Sequence, residues 1–268
     1  MTNPSPYYKE FAPPNEIAHL VGAFWSFSMP DKAACNYSVP YRVLPDGCMD
    51  LIFRYQRSTN GAIDSPTLTV YGSTDRYYIV DIKPSTQLIG VRFNPGMAGV
   101  FLRHNPIDLF QQEARAQDCS EKFVQVFAQL CECSSTAQAL STLQINLLKI
   151  QRVDREDSSS IREALRLIST SKGQISVSQV ARAIGVSERT LRRGVTTVVG
   201  LSPKVLARIL RFQSAVSRIR LVPKLQTQKE SSSSNLCRIA LECGYADQAH
   251  MGREFQQLAG LTPSAFIS

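Results

Sequence analysis

The stretch IALECGYADQAHMGREF, residues 239–255, decides the fold of the C-terminal part of this 268-residue chain. Its pattern occurs twice, because residues 180–195 read VARAIGVSERTLRRGV. Each copy is followed by Gly-Leu, then Ser or Thr, then Pro. The copies are offset by 59 residues up to the glycine, and by 60 residues from Ser187 and Asp247 onward. A repeat of this length indicates a duplicated supersecondary unit.

Each copy has the residue pattern of a helix-turn-helix unit. Gly185 supplies the positive φ angle that a tight turn between two helices requires. Ser187 then serves as the N-cap of a new helix. Leu191 and Val195 lie one helical turn apart, so we expect both to face the core. The corresponding residues of the second copy are Gly244, Asp247, Met251 and Phe255.

Positive charge is concentrated in the C-terminal part. Residues 1–150 hold 12 Lys and Arg against 13 Asp and Glu, whereas residues 151–268 hold 18 against 9. Such a surface attracts a polyanion through counterion release. Arginines on a helix either bind guanine in the major groove or simply form a solvent-exposed polar face. The repeat and the positive charge favour DNA binding here. An acidic membrane surface would need exposed apolar helix faces, which this pattern does not offer.

Secondary-structure signals predict an α+β chain with a β-rich, barrel-like N-terminal domain and an all-helical C-terminal domain. Alternating apolar segments predict strands, and Asn94-Pro95 predicts a helix start. The polar, serine-rich run 152–160 is the predicted linker between domains 1–151 and 161–268. The predicted strands are 22–27, 37–44, 48–55, 68–71, 76–82 and 87–93, and the predicted helices are 94–103, 119–131, 135–151 and 203–222.

Composition argues against several other classes of protein. The N-terminus has no signal-peptide pattern and no stretch is apolar enough to span a bilayer, so we expect a cytoplasmic protein without a membrane partner. Seven cysteines in an odd number, without Cys-x-x-Cys spacing, indicate reduced thiols. Three histidines far apart in sequence offer no metal pattern and no catalytic motif. We therefore expect no enzyme activity, no metal and no cofactor.

Residues 161–268 resemble the DNA-binding domain of AraC/XylS-type transcription regulators, in which a long helix joins two helix-turn-helix units. The resemblance rests on I-A-x-x-x-G-Y-x-D-Q-x-H-M-x-R-x-F at 239–255 and on G-L-T-P at 260–263. It implies a bacterial regulator of transcription, by analogy an activator, whose partners are double-stranded DNA and RNA polymerase. It also implies base contacts from Arg189, Thr190, Arg192, Arg193, Gln248, Ala249, His250 and Arg253.

Three features of the C-terminal domain bear on that resemblance. The predicted helix 203–222 would be about 30 Å long, close to the ~34 Å between successive major-groove faces, so it is either a strut between two reading helices or an ordinary packed helix. The first recognition helix contains Gly194, Val195 in place of the family's aromatic residue, and the β-branched run 196–199. We expect that helix either to fray or to bind loosely. The polar insertion 226–234 is predicted to be flexible.

The N-terminal part contains a PDGC-x-D-L-I-F motif at 45–53, followed by GVRF-x-PG at 90–96. It resembles the β-rich domain of a subset of AraC-like regulators. The resemblance implies that this domain binds a small effector, forms a homodimer, or both. Charged and aromatic residues in an apolar domain favour a ligand pocket, although an internal Asp–Arg pair and a core Trp explain them equally well. The predicted lining residues are Trp25, Asp50, Arg54, Tyr71 and Arg92.

Two further alternatives remain at this point. The stripe Ala137, Leu140, Leu143, Leu147 and Ile150 either forms a dimer helix or packs on its own domain, and packing is favoured. A different class of function is an alkyl-transfer repair protein with a reactive cysteine, since some such proteins resemble this family in their DNA-binding region. Cys131 and Cys133, with Cys119, would then form a thiolate or zinc cluster.

Overall fold

A computed structural model describes residues 8–29, 38–58, 62–150, 159–221 and 232–267. The chain is α+β, with a β-rich N-terminal region followed by a helical C-terminal region. Residues 152–158 of the predicted linker 152–160 lie outside the described residues, and so do residues 226–231 of the predicted flexible insertion 226–234. Within the described ranges, no helix is long and apolar enough to cross a membrane.

The N-terminal region is built on antiparallel strands. They are β1 Tyr8–Phe11, β2 Val21–Ser28, β3 Val39–Val43, β4 Met49–Arg57, β5 Ile63–Tyr71, β6 Tyr78–Ile82, β7 Thr86–Phe93 and β8 Glu113–Arg115. Six of them form one sheet in the order β1-β2-β7-β4-β5-β8, and β3 pairs with β6. The predicted strands are present with shifted ends, whereas the short strands β1 and β8 at the two edges of the sheet were not predicted.

Strand β4 shows how the sheet separates a core from a second face. Successive side chains of a strand point to opposite sides. Leu51 and Phe53 are fully buried in the N-terminal core. Their neighbours Asp50, Ile52 and Arg54 therefore point to the other face, which the β3–β6 pair covers.

Helices cover the core face of the sheet. They are α1 Ala116–Cys119, α2 Lys122–Cys131 and α3 Thr136–Ile150. The apolar stripe of α3 packs on its own domain, because Leu140, Leu143, Leu147 and Ile150 are buried in the N-terminal core. Ala137, at the start of the stripe, is exposed. Packing within the domain, the favoured alternative, thus describes this helix.

The predicted helix 94–103 is wrong. Only the 3-10 turn Ala98–Val100 forms there. Gly96 has a φ angle of 79°, in the left-handed region that an α-helix does not use. The Asn94 side chain does not cap a helix, because its Nδ2 donates to the carbonyls of Ala18 and His19.

The C-terminal region contains the two predicted helix-turn-helix units. Gly185 has a φ angle of 69°, and the Ser187 hydroxyl accepts a hydrogen bond from the Thr190 amide at 3.1 Å. Asp247 caps the second unit by accepting from the His250 amide at 2.6 Å. The helices are α4 Ser159–Thr170, α5 Val177–Ala183, α6 Glu188–Val199, α7 Pro203–Ile219, α8 Ser232–Glu242, α9 Gln248–Ala259 and α10 Pro263–Ile267.

Helix α6 does not fray at Gly194, contrary to the sequence expectation. It runs unbroken from its Ser187 cap to Val199. A Cβ atom on Gly194 would lie 2.4 Å from Cδ1 of Ile161, on α4. The glycine therefore allows α4 and α6 to approach closely, and buried Leu191 and Val195 hold the helix against the same core.

Candidate DNA-reading surface and effector cavity

The first recognition helix presents its basic residues to solvent. Arg189, Arg192 and Arg193 are all exposed, as is Thr190. The capped N-terminal turn of α6 fixes the direction in which this end of the helix projects. These residues line a concave surface with a volume of about 720 Å³, which Ile107 of the N-terminal region also lines.

The second recognition helix presents a less charged surface. Ala249 and Arg253 are exposed, whereas Gln248 and His250 are half-buried. The His250 ring meets the ring of Tyr245 edge-on, with 5.3 Å between centroids. His250 is therefore partly held by its own unit, and Arg253 is the exposed charged group of this helix.

Helix α7 holds the second unit through two of its arginines. Arg208 Nε donates to the Glu254 carboxylate at 2.7 Å, and its Nη2 donates to Gln257 at 2.7 Å. Arg211 Nη1 donates to the carbonyl of Gly244 at 3.2 Å, in the turn of the second unit. These side chains fasten α9 to α7, which spans 17 residues, or about 25 Å, rather than the predicted twenty.

The outer face of the sheet and the β3–β6 pair enclose a cavity of about 400 Å³. All five predicted lining residues, Trp25, Asp50, Arg54, Tyr71 and Arg92, lie around it. Trp25 is positioned by the sheet, because it pairs with Gly90 on β7. A Cβ atom on Gly90 would lie 2.1 Å from the indole ring, so only glycine leaves room for it.

Polar groups converge on one wall of this cavity. The Trp25 indole Nε1 donates to Asp50 Oδ1 at 2.9 Å. Arg92 contacts Asp46 at 3.0 Å, Glu10 at 3.1 Å and Asp50 at 3.6 Å. Burial raises the pKa of Asp50 to about 6, although the Arg92 guanidinium beside it favours the ionised form. The wall therefore combines an internal Asp–Arg pair with a polar surface that a ligand would meet.

Comparison with protein families assigns the two regions separately. The description "Helix-turn-helix domain" matches residues 180–268, and "Domain of unknown function (DUF6597)" matches residues 9–115. The first match agrees with the two capped helix-turn-helix units of the C-terminal region. None of the curated proteins matches the chain.

Solved structures of other proteins are similar to parts or most of the chain. The C-terminal domain of AraT, a response regulator from Geobacillus stearothermophilus, is 21% identical over 42% of this chain and 87% of that chain, with a TM-score of 0.35. ToxT from Vibrio cholerae O395 bound to (E)-4-(8-methylnaphthalen-1-yl)but-3-enoic acid is 9% identical over 90% of this chain and 96% of that chain, with a TM-score of 0.47. Unsaturated fatty acid bound wild-type ToxT from Vibrio cholerae strain SCE256 is 11% identical over 90% and 93%, with a TM-score of 0.43.

The helical C-terminal region also lines the cavity, and the sequence did not predict this contribution. Gln213, Ser217 and Arg220, on and just after α7, line it. Gln213 Nε2 donates to the carbonyl of Pro45 at 2.6 Å. No periodic signal marks these residues, because their role depends on how the two domains dock.

The cysteines do not resemble a reactive cluster. Burial raises the pKa of both Cys119 and Cys131, whereas a nucleophilic or metal-binding thiolate needs a lowered pKa. Within the described parts of the chain, no group of three or more potential metal ligands comes together. The geometry gives the alkyl-transfer alternative no support.

Proposed function

We propose that this protein is a transcription regulator of the AraC type, which binds a specific DNA sequence with α6 and α9 in successive major-groove segments. The observation that carries the proposal is the pair of capped recognition helices fastened to one connecting helix, α7. Arg192 and Gln248 are the residues on which we place the greatest part of base recognition, because arginine pairs with guanine and glutamine with adenine. By analogy with AraC/XylS-type regulators, we propose that the protein activates transcription through contact with RNA polymerase.

We further propose that a small effector occupies the cavity beside Trp25 and acts on the DNA-binding domain through α7. A volume of about 400 Å³ lies within the range of ligand pockets. Since Gln213, Ser217 and Arg220 line the same space, an occupant contacts both domains at once. Differential contact of this kind is what couples a ligand to a distant DNA site.

The chemistry around Arg220 favours an acidic effector. Among the residues that the structure describes, its Nε and Nη2 are buried and have no hydrogen-bond partner, and the same is true of the nearby Tyr41 hydroxyl. Burial lowers the pKa of Arg220, and Phe266 contacts its guanidinium only through the face of the ring, 5.6 Å away. A carboxylate or sulfonate would satisfy these donors after a small rotation of the side chains.

Footprinting on DNA selected from a random library by the full-length protein tests the first proposal. Arg192→Ala and Gln248→Ala should each relax recognition at one base position by about 1 to 3 kcal/mol. Arg115→Ala, which removes an equally exposed charge from β8, should leave base preference unchanged. If the wild-type protein protects no defined sequence at moderate salt, the proposed specific recognition is wrong.

The anionic aromatic probe 1-anilinonaphthalene-8-sulfonate tests the second proposal. Trp25 is the only tryptophan of the chain, so energy transfer from it reports occupancy of the cavity. Arg220→Met should weaken probe binding, whereas Lys83→Met, at the exposed rim, should not. Saturating probe should change DNA affinity, and DNA should change probe affinity by the same factor. Probe binding without that mutual effect would contradict the proposed coupling.

A further inference from the structure

The two recognition helices end at equivalent positions of the duplicated pattern. The last residue of α6 is Val199 and that of α9 is Ala259, which corresponds to Val199 in the repeat. Gly200 and Gly260 are the C-cap residues that follow them. Both glycines have left-handed backbone angles, with φ of 82° and 67°. The last carbonyl groups of an α-helix have no partner within the helix and must be satisfied from outside.

In each unit, the N-terminal domain supplies that outside partner. The Ser73 hydroxyl, completely buried, donates to the carbonyl of Val199 at 2.6 Å. Arg42 Nη1 donates to the carbonyl of Ala259. These two carbonyls correspond to each other in the repeat, so one domain holds the same atom of both recognition helices. A cation at the C-terminal end also suits the helix dipole of α9.

Close packing accompanies both hydrogen bonds. A Cβ atom on Gly200 would lie 2.8 Å from Ser73 Oγ, and one on Gly260 would lie 2.4 Å from the Tyr77 ring. The Arg42 guanidinium stacks over the same Tyr77 ring, 4.5 Å from its centroid. Ser73 and Tyr77 belong to a single short connection between β5 and β6, so the two contact points are joined by only three intervening residues.

The connection is itself held in place. The Gly72 amide donates to the Gln112 carbonyl and the Gln111 amide to the Ser73 carbonyl, both at 2.9 Å. A Cβ atom on Gly72 would lie 1.6 Å from the carbonyl oxygen of Leu109, the last residue of a 3-10 turn that packs against α6. The contact points on the two helices are therefore set by one well-supported element of the N-terminal domain.

We propose that Ser73 and Arg42 are positioning residues that fix the separation of the two recognition helices, and thereby select the spacing between the two DNA segments that the protein reads. The proposal rests on the two-helix reading of DNA stated above, and does not depend on an effector. Inserting one base pair between the segments displaces the second by about 3.4 Å and rotates it by about 35°. A pair of helices held at fixed separation rejects that change, whereas a loosened pair accommodates it.

The test uses the full-length protein and a duplex selected by it from a random library. Dissociation constants are measured by fluorescence anisotropy for that duplex and for versions with one base pair added or removed between the two protected segments. The wild-type protein should prefer the selected spacing. Ser73→Ala and Arg42→Met should each reduce that preference by about two- to tenfold, the effect of losing one hydrogen bond.

Matched variants separate positioning from general stability. Ser28→Ala removes a hydroxyl that bonds Gln87 within the N-terminal domain, and Arg76→Met removes an exposed arginine that pairs with Asp75. Both should keep the wild-type spacing preference, and Arg42→Lys, which retains a donor, should keep most of it. Equal weakening at all spacings, or an unchanged preference in Ser73→Ala, would overturn the proposal. If the wild-type protein itself shows no sequence-selective binding, the proposed function is refuted instead.

Discussion

Replacing Gly194 by alanine sets two opposing effects against each other. Alanine in a helix interior is more favourable than glycine by about 1 kcal/mol. The added methyl group, however, would lie 2.4 Å from Cδ1 and 2.8 Å from Cγ1 of Ile161, and overpacking of this kind costs about 1 to 3 kcal/mol. Ile161 is buried, and its Cδ1 and Cγ1 atoms both lie too close to the added methyl group. We therefore expect the unfolding free energy to fall by about 1 kcal/mol.

Urea denaturation followed by far-UV circular dichroism measures this loss. Gly252→Ala provides the control, since Gly252 lies inside α9 and a Cβ atom there meets nothing within 4 Å. That substitution should stabilise the protein by about 1 kcal/mol. In an Ile161→Ala background, which removes the obstructing atoms, Gly194→Ala should become stabilising by about the same amount.

Two results would exclude Ile161 as the reason for a glycine at position 194. If Gly194→Ala stabilises the otherwise unchanged protein as much as Gly252→Ala does, Ile161 moves aside without cost and the glycine is not required for close approach of α4 and α6. A loss in both backgrounds would also be inconsistent with Ile161 as the cause. Only a change of sign between the two backgrounds supports the packing argument.

Two other predictions concern charged groups. Because burial raises the pKa of Asp50 to about 6, the folded protein binds that proton more tightly than the unfolded chain, so the unfolding free energy should rise as pH falls from about 6 toward about 4. Asp50→Asn should remove this contribution and also the matching change in Trp25 fluorescence, and a persisting fluorescence change would assign it to another group. Arg208→Met should lower the unfolding free energy by about 2 kcal/mol, because it leaves the Glu254 carboxylate, only 9% exposed, without its cation. The double variant with Glu254→Met should recover most of the loss, and failure to recover would contradict the pairing argument.

The helix-turn-helix units were predictable because their signals are local. A positive φ at Gly185, a cap at Ser187 or Asp247, and an apolar pair one turn apart each act within a few residues. The structure realises all of them. The low helix propensity of glycine led to the wrong prediction that α6 frays at Gly194. The close contact with Ile161, which explains the glycine, comes from a different helix.

The predicted helix after Asn94 failed for a related reason. Asparagine followed by proline is a good local start signal. Here the Asn94 side chain bonds the carbonyls of residues 18 and 19, far away in sequence. Glycine two positions later takes a left-handed conformation that ends any helix. Non-local hydrogen bonding thus overrides a local pattern.

The cavity was partly predictable and partly not. Alternation along the strands places Asp50 and Arg54 on the face opposite the core, which is why the predicted lining residues come together. The contributions of Arg220, Ser73 and Arg42 depend on docking between domains, and docking surfaces carry no periodicity. Their side chains look like ordinary surface polar residues in the sequence.

Leu44 shows that the hydrophobic core of the C-terminal helices includes a side chain from the N-terminal domain. It lies in the connection between β3 and β4, yet it is buried in the hydrophobic core of the C-terminal helices. Tyr77, Met97 and Phe110 pack against the same core. A fragment that consists of residues 159–268 alone would therefore lack these side chains and would expose the apolar surface that they cover. Such a fragment should be less stable than the same residues within the full chain.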